Sequence, residues 1–230
     1  MKSRRRVNSA VRLLISSMNK LLLIVTLCFA FSVAVAQNKP DTSPLTYGLV
    51  LDHSGSMKDI MKYINASAAA MVDSNGPADE TFITRFISSD KIEPVQDLTQ
   101  DKERLVNSLR GLQTEGGQTA IIDGVYVAAE YLVEKSSNPH RALVLITDGD
   151  ERSSYYKIDF LLSYLRKNKI PVYILSYVHS VKTESGSKRY EKALAFINTL
   201  ANESGGKVVI ADNARELPDK AAEIVRLLRP

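Results

Sequence analysis

The sequence predicts an α/β fold in which a mainly parallel sheet carries helices on both faces. Apolar segments of strand length alternate with segments of helical periodicity, which is typical of parallel strands joined by helices. The strand segments are apolar nearly throughout instead of alternating with polar residues, as expected for strands that are buried on both faces. One connection between two strands is too short for a helix and therefore predicts an antiparallel pair.

The first half of the domain begins with an apolar strand at 45–51. Residues 57–72 carry apolar side chains at helical spacing and predict a helix. Strands follow at 81–87 and 92–98, and the few residues between them predict an antiparallel hairpin. Pro94 interrupts the second of these strands and places it at an edge of the sheet, because proline cannot donate a hydrogen bond to a neighbouring strand.

The second half continues the alternation of helices and strands. The helix at 101–112 has acidic residues in its first turn and a glycine near its end, and the helix at 188–203 is followed by Gly205-Gly206. The remaining predicted strands are 142–146, 171–178 and 207–211, and the remaining predicted helices are 119–134, 155–168 and 215–228.

The first 36 residues have the pattern of a secretory signal peptide. Positive charges precede an apolar run at 21–36, which ends in the small-x-small cleavage pattern Ala34-Val35-Ala36. A membrane-spanning helix needs about 20 apolar residues, so an uncleaved anchor is the weaker interpretation. Translation from Met18 would leave a more compact signal of the same type. We expect a signal peptide at 1–36, a polar linker at 37–44 and an exported protein, periplasmic or secreted after cleavage near Ala36.

The basic charge of the chain belongs to this leader. The net charge is +4 and the isoelectric point about 9.0, but residues 1–36 contain six basic side chains and no acidic one. The remaining 194 residues carry 24 basic and 26 acidic side chains. Such a balance does not favour nucleic-acid binding, and we expect membrane contact only through an uncleaved leader. The only cysteine, Cys28, lies in the leader, which excludes a disulfide framework and a multi-cysteine zinc site.

Side chains that carry oxygen atoms directly follow two of the predicted strands, and another lies at the end of a glycine-containing loop. They are Asp52, Ser54 and Ser56 after the first strand, Thr119 after Gly116-Gly117-Gln118, and Asp148 after the strand at 142–146. In open parallel sheets, ligands bind at the carboxyl ends of strands. Two carboxylates and three hydroxyls form an all-oxygen set that suits a hard cation such as Mg²⁺ or Mn²⁺. Because hydroxyls carry no charge, the cation should remain able to bind an anionic ligand.

At these residues the sequence resembles the von Willebrand factor type A (vWA) domains. Their metal-ion-dependent adhesion site (MIDAS) has the pattern Asp-x-Ser-x-Ser, then a Thr, then an Asp in a Thr-Asp-Gly turn. The residues that match it here are Asp52, Ser54, Ser56, Thr119 and Asp148. The resemblance covers about residues 45–228 and implies a vWA domain at 45–230. It implies a doubly wound, Rossmann-like sheet with one antiparallel edge strand, a magnesium site on its top face, and binding rather than catalysis.

Simpler roles are open for each of these residues. The three after the first strand could cap the following helix, since Asp and Ser favour that position. Thr119 could cap the helix that it opens while also binding a metal. Asp148 could form a turn ahead of Gly149.

Other polar and aromatic residues lie near the predicted site in sequence. Asp123 could support the ligands from within the helix at 119–134, although a solvent-exposed acid is the expected alternative. Asp150 and Glu151 flank the predicted site and could tune which ligand charge it prefers, although a solvated loop is the expected interpretation. His53 is expected to be exposed or to contact a partner, and not to bind the metal. The pair Tyr155-Tyr156 could contact a partner or pack inside the domain.

The sequence therefore predicts an exported, non-enzymatic binding module that holds Mg²⁺, or Mn²⁺, and uses it to bind an acidic group of a partner protein. One alternative is a metal-assisted hydrolase or phosphoryl-transfer enzyme, because a cation with an open position can activate water. Against it, the sequence has no phosphate-binding loop and no nucleophile elbow. A second alternative is a structural subunit whose site is not used for adhesion.

Overall fold

The computed structural model describes residues 43–177 and 187–229. The predicted signal peptide at 1–36, its cleavage site at Ala36 and most of the linker at 37–44 lie outside the described residues, as does the last residue of the strand predicted at 171–178. Within the described ranges, no helix is both long and apolar enough to cross a membrane.

Strands and helices alternate along the described chain, with one 3₁₀ turn before the first helix and another before the last. The strands are β1 Thr46–Asp52, β2 Glu80–Ser88, β3 Lys91–Thr99, β4 Arg141–Thr147, β5 Val172–Ser176 and β6 Val208–Ile210. The helices are α1 Met61–Asp73, α2 Lys102–Ser108, α3 Ile121–Lys135, α4 Ile158–Asn168, α5 Ser187–Ser204 and α6 Leu217–Leu228. The 3₁₀ turns are Gly55–Ile60 and Ala214–Glu216.

The strands form one sheet in the order β3-β2-β1-β4-β5-β6. Neighbouring strands are parallel except β2 and β3, which form an antiparallel hairpin with an irregular register. The two edges of the sheet are β3, which contains Pro94, and β6, which is three residues long. The predicted fold class is confirmed, including the antiparallel strand at the edge.

Helices cover both faces of the sheet, as the apolar strands predicted. Leu49 and Leu51 of β1 lie in the cluster that packs against α1, α2 and α6. Val50, between them, lies in the cluster that packs against α3, α4 and α5. All three side chains are fully buried. Side chains of a strand point alternately to the two faces, so β1 is central to both halves of the core.

Five of the six helices are shorter than predicted, and α1, α3 and α4 begin later beside the predicted ligand loops. Helix α1 begins at Met61 instead of residue 57, after the 3₁₀ turn Gly55–Ile60, and α6 begins at Leu217 instead of residue 215. Helix α2 ends at Ser108 instead of residue 112. Helix α3 begins at Ile121 instead of Thr119, and α4 begins at Ile158 instead of Tyr155. The chain before α3 cannot be helical at Gly116 and Gly117, because both have positive φ angles. The loops that lead into α3 and α4 are therefore longer than the sequence suggested.

Candidate metal centre

The centre of the site is a pair of buried carboxylates at the ends of two adjacent strands. Strands β1 and β4 are parallel neighbours, so Asp52 at the end of β1 and Asp148 just after β4 reach the same edge of the sheet. Both residues are fully buried. Burial, and then the negative charge of Asp148, raise the pKa of the Asp52 carboxyl from 3.8 to about 7. The two carboxylates are thus close enough to destabilise each other's ionised form.

Thr147 connects the two strand ends and was not singled out by the sequence. Its hydroxyl donates to Oδ2 of Asp52 at 2.6 Å, and its carbonyl accepts from the hydroxyl of Ser176 at 2.9 Å. The hydroxyl oxygen of Thr147 also accepts from the backbone N–H of Gly149 at 3.1 Å. Thr147 therefore fixes the Asp52 carboxylate relative to the turn that carries Asp148.

The loop after β1 brings two hydroxyls together beside this pair. Oδ1 of Asp52 accepts from the backbone N–H of Ser54 at 3.0 Å, and the hydroxyl oxygens of Ser54 and Ser56 lie 3.3 Å apart. Ser54 is buried and Ser56 is half-buried. Ser54 precedes the 3₁₀ turn at Gly55–Ile60, but its side chain makes no capping hydrogen bond. Capping therefore does not account for the Ser54 hydroxyl.

Thr119 lies in a second loop that contacts the first. A Cβ atom added to Gly55 would lie 3.8 Å from the Cα atom of Gly116 and the carbonyl oxygen of Gly117, which places the two loops in van der Waals contact. Thr119 is buried. The N-cap position of α3 is Ala120, and it has no side-chain capping bond, so the alternative in which Thr119 caps this helix does not hold. The structure thus brings all five predicted residues to three neighbouring loops at one end of the sheet.

Glu151 caps α3 from a distant part of the chain. Its Oε2 atom accepts from the backbone N–H groups of Ile121 at 2.7 Å and Ile122 at 3.1 Å. The same carboxylate accepts from the backbone N–H and the hydroxyl of Ser154, both at 2.9 Å. Glu151 was interpreted as part of a solvated loop, but it supplies the acceptor that the first turn of α3 lacks locally.

Asp123 makes the reciprocal connection from α3 to the loop before α4. It is buried, and its two carboxylate oxygens accept from the backbone N–H groups of Tyr155 at 2.7 Å and Tyr156 at 3.0 Å. The expectation of a solvent-exposed acid is therefore wrong. The interpretation as support for the ligands is consistent with this geometry, because Asp123 holds the loop that follows Asp148. Tyr155 itself is 79% exposed, while Tyr156 stacks on Phe160.

Two further hydrogen bonds join the Thr119 and Asp148 loops. The carbonyl of Thr119 accepts from the backbone N–H groups of Arg152 and Ser153, both at 3.0 Å. Asp150, also interpreted as solvated, is buried and forms ion pairs with Arg152 and with Arg189 of α5. These bonds, together with those of Glu151 and Asp123, make the Thr119 and Asp148 loops one connected structure.

His53 is fully buried, so the expectation of an exposed or partner-contacting histidine is wrong. Burial lowers the pKa of its imidazole from 6.5 to about 4, so the ring is neutral at pH 7. Its Nδ1 atom lies 3.3 Å from the carbonyl oxygen of Gln113, to which only a protonated nitrogen can donate. His53 therefore ties the loop after β1 to the chain that leads to Thr119.

The donor set fits a hard divalent cation and fits a zinc site poorly. Among the described residues there is no cluster of three or more His, Cys, Asp or Glu side chains that could hold a metal. What the loops do provide is two buried carboxylates with serine and threonine hydroxyls beside them. Oxygen ligands of low total charge are the chemistry of Mg²⁺ and Mn²⁺ sites.

Comparison with known sequences identifies the segment that contains this site. The family model described as von Willebrand factor type A domain matches residues 48–151. This segment includes all five predicted ligands. No curated protein is significantly similar to the chain in sequence.

Solved structures with the same fold include domains from several bacteria. A vWA protein from Catenulispora acidiphila has a TM-score of 0.64 at 16% identity, covering 80% of this chain and 42% of that one. An aerotolerance-related membrane protein from Bacteroides fragilis has a TM-score of 0.59 at 17% identity, and the match covers 79% of this chain and 98% of that one. The pilus adhesin SpaC from Lactobacillus rhamnosus GG has a TM-score of 0.60 at 16% identity, covering 81% and 30%. Residues 48–151 thus match the vWA family model, and the described chain has the fold of a vWA domain.

Proposed function

We propose that this protein is an exported vWA-domain binding module that holds Mg²⁺, or Mn²⁺, in a MIDAS-type site and uses it to bind an acidic group of a partner protein. The observation that carries the proposal is the burial of Asp52 and Asp148 side by side at the ends of adjacent strands. Two like charges in the interior destabilise the fold unless a proton or a cation compensates them. A divalent cation would supply that compensation.

Asp52 and Asp148 would supply the charge, and Ser54, Ser56 and Thr119 would supply neutral oxygens. Ser54 and Ser56 already have their hydroxyls within 3.3 Å of each other. The exposed side of the site is the half-buried Ser56 and the neighbouring glycine loop. With few charged ligands from the protein, the cation would remain a Lewis acid toward one external carboxylate. The loop contacts described above would hold the five side chains in place.

The names of two structural neighbours and the leader pattern favour a binding role outside the cytoplasm. One neighbour with this fold is named a pilus adhesin and another a membrane protein, and identities of 16–17% relate the folds only. The leader pattern at residues 1–36 independently favours export. Periplasmic retention and secretion are both compatible with that pattern.

A binding role explains the site better than metal-assisted hydrolysis does. A hydrolase would need a general base near the cation. The histidine next to the site in sequence, His53, is fully buried with Nδ1 facing the Gln113 carbonyl. A structural subunit with an occupied but unused site is the remaining alternative, and it is tested by partner binding.

The test is a calorimetric titration of Mg²⁺ and Mn²⁺ into chelator-stripped protein. We expect saturable binding to the natural protein and a loss of at least about tenfold in affinity in Asp148→Ala, because one of two charged ligands is removed. Asp159→Asn is the matched control, since it removes an exposed carboxylate from the first turn of α4. Equal affinities of the natural protein and Asp148→Ala would refute the proposed site.

A further inference from the structure

A groove lies beside the candidate metal centre, between the start of α1 and the chain that leads to Thr119. Its volume is about 400 Å³. Lys58, Met61, Lys62 and Asn65 line one side, and residues 111–114 line the other. Lys58 follows the predicted ligand Ser56 by two residues in the same 3₁₀ turn, so one end of the groove is near the metal site in sequence.

The groove is basic and contains no carboxylate of its own. Lys58 and Lys62 are exposed, and neither has an ion pair with a carboxylate within the described part of the chain. Lys62 places its ammonium 4.9 Å from the centre of the Tyr63 ring. The two lysines are one helical turn apart, so both can reach a single bound group.

A neighbouring cleft shows that this excess of positive charge is not general in the region. That cleft, of about 450 Å³, shares the chain at 111–113 with the groove. Its Arg85 is bonded to Glu93 and to Glu115, so the cation that lines this cleft is already paired with carboxylates. Of these two clefts, the lysine-lined groove is the one whose cations have no carboxylate partner among the described residues.

Asn65 joins the two sides of the groove. Its Nδ2 donates to the carbonyl of Leu112 at 3.2 Å. Met61 and Leu112 provide apolar surface in the same groove.

We propose that the groove binds a second carboxylate of the partner, next to the one that coordinates the metal. The partner would therefore be an acidic segment with two acidic residues one or two positions apart. The Cα atoms of Ser56 and Lys58 are at most about 7 Å apart, which is the span of two residues in an extended peptide. The position of the first carboxylate rests on the proposed metal-dependent function, whereas the lysine contact with the second does not.

The test compares two synthetic peptides by amide chemical-shift titration of the purified protein in Mg²⁺. Both contain one Asp in a Gly-rich context, and two residues later one has Glu and the other Gln. We expect the Glu peptide to bind about fivefold more tightly to the natural protein, the order expected for exposed ion pairs. The preference should fall to about one in Lys58→Gln/Lys62→Gln. The preference should persist in Lys167→Gln/Lys169→Gln, which removes two exposed lysines at the C-terminal end of α4 that do not line the groove.

Each outcome separates the groove from the metal site. Equal affinity of the natural protein for the two peptides, a preference that survives in Lys58→Gln/Lys62→Gln, or no amide shifts at millimolar peptide would overturn the proposed groove. If the Gln peptide binds equally well with and without chelator, the metal-dependent function fails. In that case, the preference for Glu and its dependence on the two lysines would still show whether the groove binds a carboxylate.

Discussion

Replacement of Glu151 by alanine should destabilise the domain, because Glu151 caps a helix thirty residues away. The variant removes the acceptor of the Ile121 and Ile122 N–H groups and both bonds to Ser154. Loss of a helix cap costs about 0.5–2 kcal/mol, and a hydrogen bond to a charged group contributes about 1.5–3 kcal/mol. Since Glu151 is half-buried and water can replace part of these bonds, we expect a loss of about 2–3 kcal/mol.

Urea unfolding followed by circular dichroism measures this loss, with chelator present so that no metal contributes. The melting temperature should fall by about 4–12 °C for a domain of this size. Glu151→Gln retains an amide oxygen and should lose about 1 kcal/mol. Glu134→Ala is the control, because its side chain is 70% exposed and pairs with the neighbouring Lys135. If Glu151→Ala unfolds within about 0.5 kcal/mol of the natural protein, the capping argument is refuted.

Two further substitutions test the core. Burial raises the pKa of the Tyr47 phenol from 10.0 to about 12, so the unfolded chain loses this proton at a lower pH than the folded protein. The unfolding free energy should fall by about 2 kcal/mol between pH 10 and pH 12 from this group alone, and Tyr47→Phe should remove that part of the fall in urea titrations. Gly124→Ala should lower the stability by about 1 kcal/mol in thermal unfolding despite alanine's helix propensity. A Cβ atom there would lie 2.7 Å from Cγ of the buried Phe86.

Each of these two predictions has an outcome that would contradict it. An equally steep fall above pH 10 in Tyr47→Phe would show that the buried phenol does not cause the pH dependence. The loss in Gly124→Ala should be smaller when Phe86 is also replaced by leucine, because the clash is then relieved. A stabilised Gly124→Ala variant would contradict the packing argument.

Local sequence patterns predicted the six described strands in their order because most of them are short apolar runs. The exception is β3, which is largely polar and has no fully buried residue. The hairpin was predictable because four residues cannot contain a crossover helix. The predicted ligands were identifiable as well, since each lies in a loop near a strand end or a helix start. Their approach to one another follows from parallel neighbours such as β1 and β4 ending at the same edge.

Long-range capping was not predictable from local patterns. The helix at 119–134 was expected to begin at Thr119, which placed Asp123 on the same helix face as Thr119. Because α3 begins at Ile121, that relation does not exist, and Asp123 instead binds backbone N–H groups more than thirty residues away. The burial of His53 is a similar case, since its partner Gln113 is sixty residues distant. No sequence signal within a few residues of either side chain indicates these contacts.

The two edges of the sheet limit how any partner can dock. Addition of a foreign strand needs a row of free backbone N–H and C=O groups on a regular edge. Here one edge, β3, is irregular in register and carries Pro94, and the other, β6, has only three residues. Such edges resist strand-by-strand association between molecules, a safeguard for a domain without cysteine cross-links. Recognition is thereby directed away from backbone pairing and toward side chains, which can discriminate one partner from another.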